Sequence, residues 1–297
     1  MIFFKWGINY QAYMKYTEHN YAESELAYKK FLNPSLKQAV DLLNIKDDFR
    51  ILDAGCGPGA IFSLFADKLK LEGQIVGIDA SDSHLEIAEK IIKQHNLQEV
   101  VVIKKVDLFG DLPFEDDCFD IVWLSDVLFP DDLGDEIFSI LKKIYKKLKP
   151  NGKIAIFYSN WLRLSLLPGY STLEHNISIA NEKRKSTEFK WIADMHPENA
   201  LKWLFECDFT NCENHYVTSC YQYPLQDHIK DYILYHLTHI YGKAVKFKSS
   251  DFQIPQNQVD EFYKITAIED NDFILNKAFY HCALHAQLTV GQKKAYF

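Results

Sequence analysis

One stretch constrains the fold of this chain more than any other: Ile51-Leu52-Asp53-Ala54-Gly55-Cys56-Gly57-Pro58-Gly59, an apolar run that ends in an acid and opens into three alternate glycines. Glycine accepts the positive φ that a tight turn needs and leaves no Cβ between the backbone and a ligand. Apolar residues then recur at helical spacing at Ile61, Leu64, Phe65 and Leu69. The pattern predicts a strand, a ligand-binding loop and a helix whose N-terminus offers unpaired N–H groups.

The alternation continues downstream. Strand-like runs fall at 50–54, 74–79, 100–107, 119–125 and 153–159, with helical runs at 61–70, 83–95 and 135–149 between them. Such alternation specifies an α/β fold with a mostly parallel sheet covered on both faces. Residues 1–46 read as helical and aromatic, with Tyr10, Tyr13 and Tyr16 three apart along one face. Residues 160–196 show no clear period. His196-Pro197-Glu198 then opens a helix to 206, followed by a strand near 214–223, helices near 226–241 and 258–268, and a closing strand near 279–290. The expected division is a helical cap at 1–46, a core at 47–160, and completion of the sheet with helical insertions at 161–297.

Composition narrows the function classes. The 297 residues hold one large α/β domain with insertions or two small ones, and 47% hydrophobic content suits a buried core. A net charge of −8 argues against a nucleic-acid partner. The basic run Lys142, Lys143, Lys146, Lys147 and Lys149 reads as a solvated helix end, where cations oppose the dipole's negative pole. The six cysteines lack a CxxC pair and read as reduced thiols. His236 with His239, and His281 with His285, share faces but have no carboxylate at a ligand offset, so no metal site is expected. The first residues are broken by polar ones and carry no basic start, so neither a signal peptide nor a membrane span is expected, and the location is read as cytoplasmic. Oligomeric state stays open.

Several loops fit the glycines alone. A P-loop needs a Lys-Ser/Thr pair where Ala60-Ile61 stand. A dinucleotide loop is formally matched by Gly55, Gly57 and Ala60, with Asp79 placed as a ribose acid. Further segments follow in order: Val76-Gly77-Ile78-Asp79, with Asp79 lying 20 residues beyond Gly59; Val106-Asp107-Leu108; Leu112-Pro113-Phe114; Phe119-Asp120-Ile121-Val122; and Leu148-Lys149-Pro150-Asn151-Gly152. With this set, over roughly residues 50–160, the chain resembles the class I S-adenosylmethionine-dependent methyltransferases, in the small-molecule branch of ubiquinone, sterol and arsenite methyltransferases.

The resemblance implies a Rossmann-like doubly wound sheet of seven strands, mostly parallel with an antiparallel last strand, plus a helical cap. It implies S-adenosylmethionine as cofactor: Gly55, Gly57 and Gly59 beneath it, Asp53 at its methionine end, Asp79 on the ribose, Asp107 on the adenine amino group with Ala80 and Leu108 flanking the ring, and His84 and Ser125 lining the site. The implied reaction moves the methyl group to an O, N or C nucleophile of a small apolar or aromatic molecule. Methyl transfer needs a base only if the nucleophile arrives protonated; the candidates are Asp126, His175, His196 and one of the tyrosines, with Asp126 and His196 put first. Substrate-facing candidates are Tyr13, Tyr16, Phe129, Trp161, Tyr170 and Tyr223. A cofactor-binding protein, a lyase or cyclase without methyl transfer, and an NAD-dependent oxidoreductase are the alternatives. The chain departs from the family in the long segment 224–277 ahead of its last strand at 285–293, read as an insertion; whether it and 160–196 form a lid or a dimer interface stays open.

Overall fold

The computed structural model describes residues 18–70, 72–128, 136–186 and 196–295. The strands β1 (Arg50–Ala54), β2 (Gln74–Asp79), β3 (Val101–Lys105), β4 (Phe119–Ser125), β5 (Leu148–Ser165), β6 (Thr210–Gln222) and β7 (His281–Gln292) form one seven-stranded sheet in the order β3-β2-β1-β4-β5-β7-β6. The pairs β1 with β2, β1 with β4, β2 with β3 and β4 with β5 are parallel, and an antiparallel strand completes the Rossmann-like sheet. Strand order reverses between β1 and β4. That reversal opens a crevice at their carboxyl ends, where ligands sit in open α/β sheets.

Two compact units are present. One comprises Tyr16–Ser159, Trp191–Val217 and Ala286–Phe297. Its central strands β1, β2 and β4 are buried along nearly their whole length, as strands covered by helices on both faces are. Along β4, Val122 and Leu124 join Ile137, Ile140, Leu141 and Ile144 of α4 (Glu136–Lys147), the three-four spacing that turns one helix face to a sheet. On alternate positions Trp123 stacks on Phe157 at 5.6 Å and meets Phe65 edge-on at 5.7 Å. Each such buried side chain contributes about 1.5–3 kcal/mol. The unit also holds α1 (Glu18–Leu42), α2 (Phe62–Ala66), α3 (Asp82–Gln94) and α6 (Ala200–Glu206).

The other unit comprises, among the described residues, 160–186 and 218–285. It contains α5 (Ser171–Ser186), α7 (Asp227–Tyr235), a π-helical turn at His236–Tyr241, α8 (Gly242–Lys246) and α9 (Gln256–Thr266). The helices expected between the last two strands are there. The helix α5 was not expected. Its buried face, Leu173, Glu174, Ile177, Ala180 and Asn181, includes two polar residues, which erase the apolar period.

Three other expectations change. The helix after the glycine loop is five residues long rather than ten. Strand β5 extends well past 159. The lysines of α4 form a solvated face only in part: Lys142 and Lys146 are exposed, but Lys143 Nζ donates to the carbonyls of Leu108, Phe109 and Gly110, and Lys147 Nζ to that of Phe114. The long cationic stems reach these carbonyls in the loop after β3. Among the described residues, no helix is long and apolar enough to cross a membrane.

Candidate active site

Strand β1 delivers Asp53 to its carboxyl end, and the chain then turns through Gly55, Gly57 and Gly59 at φ of +78°, +52° and +77°. The Phe62 ring accounts for the last of these glycines. A Cβ on Gly59 would lie 2.6 Å from that ring, and a Cβ on Gly77 of β2 would lie 2.7 Å from it, so two glycines flank one aromatic wedge. The N–H groups of the loop itself turn onto the protein. Gly55 N and Cys56 N donate to Ile78 O at 2.8 and 2.9 Å, Gly59 N to Cys56 O at 3.1 Å, and Gly57 N to Asp79 Oδ2 at 2.9 Å. A pyrophosphate cradle depends on such groups being free. This loop supplies close backbone approach, with its donors already satisfied.

Asp79 ends β2 and is 7% exposed. Ser81 caps α3 and donates its backbone N–H to Asp79 Oδ1 at 2.9 Å. His84 therefore occupies the third helical position, whose side chain reaches back over the helix N-terminus. Its Nδ1 lies 3.2 Å from Asp79 Oδ1, and its Nε2 lies 3.2 Å from Oε2 of Glu25 on α1. Burial opposes charge on this imidazole, but the bonds to Asp79 and Glu25 outweigh it and raise His84 to about 10. His84 is thus a buried imidazolium between two carboxylates, not a surface histidine.

Asp53 is 2% exposed, and its Oδ2 has no hydrogen-bond partner among the described residues. Burial pushes its carboxyl up to about 8, against the pull of Lys29 and helped by the charges of Asp79 and Glu25. Lys29, one helical turn beyond Glu25 on α1, donates to Ser125 Oγ at 2.8 Å and to Asp126 Oδ2 at 2.7 Å. Asp126 holds φ at +54°, and its Oδ1 accepts from Ser159 N and Ser159 Oγ at 2.8 and 2.7 Å. Tyr28 OH donates to Ser159 Oγ at 2.6 Å. Both oxygens of Asp126 are engaged, so it clasps Lys29 rather than standing free as a base.

The structure brings together Asp53, Gly55, Gly57, Gly59, Asp79, His84, Ser125 and Asp126, and adds Glu25, Tyr28 and Lys29, which no sequence motif marked. Their signal is only a three-four spacing of polar residues in a helix. Asp107 is exposed and accepts from Phe109 N at 2.9 Å. Ala80 is exposed and Leu108 buried. His196 is half-buried; its Nδ1 accepts from Glu198 N at 3.2 Å as a helix cap, and its ring meets Tyr158 edge-on. Tyr170, half-buried, and Tyr223, exposed, belong to the helical unit. Tyr13, Tyr16 and Phe129 lie outside the described residues, and Trp161 is described only as backbone in β5. No group of three metal-ligating side chains occurs among the described residues.

Comparison with known proteins bears on this arrangement. A demethylmenaquinone methyltransferase of Lactobacillus johnsonii is 34% identical over 114 residues, covering 38% of this chain and 45% of that protein. The chain spans about half the length of the curated relatives it matches. Among solved structures, a putative methyltransferase from Bacillus halodurans shares the fold with a TM-score of 0.51 and 16% identity, over 88% of this chain and 99% of that one. An N-methyltransferase from Haemonchus contortus, in complex with phosphomonomethylethanolamine and S-adenosylhomocysteine, also has a TM-score of 0.51, with 17% identity over 97% of this chain and 61% of that one. The sequence profile described as "Methyltransferase domain" matches residues 45–231, and the chain belongs to that family.

Proposed function

We propose that this chain binds S-adenosylmethionine across the carboxyl ends of β1, β2 and β4 and transfers its methyl group to a small apolar aromatic molecule. The observation that carries this reading is the glycine loop itself. Its backbone is bare at three positions, and its donors are spent on Ile78, Cys56 and Asp79, which suits a ligand without a pyrophosphate better than a dinucleotide.

The residues present fit the cofactor. The unpartnered, buried Asp53 Oδ2 is an acceptor for an ammonium group such as that of the cofactor's methionine end. Asp79 Oδ2 retains an acceptor position for a ribose hydroxyl, and Asp107 stands for the adenine with Leu108 and Ala80 beside it. When bound, S-adenosylmethionine supplies a methyl group activated by a sulfonium. The protein's work is then orientation and exclusion of water. Lys29 carries a cation to Ser125 and Asp126 at the end of β4, where it stabilises oxyanion character on an aromatic alcohol acceptor. That role favours the ionised form of the acceptor, whose proton passes to solvent water, so that no protein base is required. The demethylmenaquinone methyltransferase relatives support an acceptor ring like that of demethylmenaquinone.

Methyl-labelled cofactor incubated with the chain and a reduced demethylmenaquinone tests this reading. Label is expected in the extracted quinone. Cofactor binding without label in that acceptor overturns the acceptor class.

A further inference from the structure

The carboxylate of Asp79 has too few open positions to serve a ribose diol alone. Its Oδ1 accepts from Ser81 N at 2.9 Å and meets His84 Nδ1 at 3.2 Å, while its Oδ2 accepts from Gly57 N at 2.9 Å. Each carboxylate oxygen has about two acceptor positions, so one remains, on Oδ2. A vicinal diol brings two hydroxyls.

A second acceptor lies at the same glycine. A Cβ built on Gly57 would stand 3.0 Å from Glu25 Oε1, and no described residue donates a hydrogen bond to that oxygen. The other oxygen of Glu25 is held on His84, whose ring lies 3.2 Å from a carboxylate oxygen on each side. Two carboxylates drawn to one glycine repel each other unless a cation separates them, and the bridging imidazolium does so. Glu25 also precedes residues 45–231, so nothing in the family match assigns it a role.

We propose that Glu25, carried on α1, is a second ribose-binding carboxylate. In this arrangement His84 is a positioning residue that joins it to Asp79, so that Asp79 Oδ2 and Glu25 Oε1 receive one hydroxyl each of an adenosine-containing ligand. The inference rests on the cofactor reading above and adds a residue to that site.

Equilibrium binding to the full chain, with no turnover required, tests it. The probes are S-adenosylhomocysteine and its 2′,3′-dideoxy counterpart, which lacks the diol. Replacing an ionised acceptor by an amide is expected to cost roughly tenfold in affinity for the diol, so Glu25→Gln weakens S-adenosylhomocysteine by about that factor and the dideoxy compound by less than about twofold. His84→Gln is expected to show the same selectivity for the diol, because it frees both carboxylates from their common anchor. Equal losses for the two probes in Glu25→Gln mean that Glu25 only fastens α1, and overturn the proposal. An unchanged affinity for S-adenosylhomocysteine in Glu25→Gln overturns it as well and leaves the cofactor reading intact. If the unaltered chain binds neither probe, both readings fall together.

Discussion

Two buried acids in this chain are treated in opposite ways. Glu174 of α5 is 8% exposed, and its Oε1 accepts from Leu166 N, Leu167 N and the Tyr241 hydroxyl. Asp53 of β1 is 2% exposed, and its Oδ2 accepts from nothing among the described residues. Burial raises both carboxyls, but the donors around Glu174 pull its carboxyl back. A buried polar atom left unpaired costs about 1–3 kcal/mol, and such a cost persists where a ligand uses the atom. Glu174 is therefore part of the scaffold of its unit. Asp53 is the acid that the proposed function assigns to the cofactor's ammonium group.

The comparison can be broken by substitutions that separate stability from binding. The largest effect is expected at Gly59, where the scaffold and the site coincide. Gly59→Val places a β-branched side chain at φ +77° against the Phe62 ring, and strain and overpacking together should cost about 3–5 kcal/mol. The midpoint of urea unfolding reads this loss, and a shift below about 1 kcal/mol would refute the wedge. Glu174→Leu comes next. It leaves the N–H groups of Leu166 and Leu167 unpaired and should lower stability by about 2–3 kcal/mol. Affinity for S-adenosylhomocysteine should not change, and a parallel fall in affinity would erase the distinction between the two acids.

Asp53→Asn sharpens the contrast through pH. Folded Asp53 keeps its proton up to about pH 8, whereas an unfolded aspartate loses its proton near ~3.9. Between those values the native state binds more protons than the unfolded state, so this residue makes stability fall as pH rises, until the slope vanishes above about pH 8. Unfolding free energies measured from pH 5 to 9 should show this decline in the unaltered chain and a flatter profile in Asp53→Asn. If Asp53 pairs with the cofactor's ammonium, binding below about pH 8 also releases a proton, which calorimetry in buffers of different ionisation enthalpy detects. The smallest effect is expected from Tyr28→Phe. It removes one hydrogen bond to Ser159 Oγ and should cost about 0.5–1.5 kcal/mol, leaving Lys29 and Asp126 in place.

How much was legible in the sequence depended on range. The strands and the glycine loop were readable because Ile51, Leu52, Asp53 and the three glycines are neighbours whose order states their geometry. The family resemblance marked His84 as a site residue but not its charge, because that charge is held by Glu25 as well as by Asp79, and Glu25 is far away in sequence. Lys143 and Lys147 of α4 were misread for the same reason: whether Lys143 meets water or the carbonyls at 108–110 depends on a loop from another part of the chain. The helix α5 escaped because Glu174 and Asn181 stand on its buried face, where only their surroundings make polarity tolerable.

By itself, the order of residues determined an alternating α/β chain, the position of its ligand crevice and the acids at its strand ends, because periodicity and turn chemistry act over a few residues. Only the tertiary structure decided what those acids do. The docking of α1 places Glu25 against His84 and Lys29 against Asp126, spends some acceptor positions and leaves others open. The physical reason is that a carboxylate's role is set by its hydrogen-bond partners and its burial, and both come from segments that sequence spacing does not bring together.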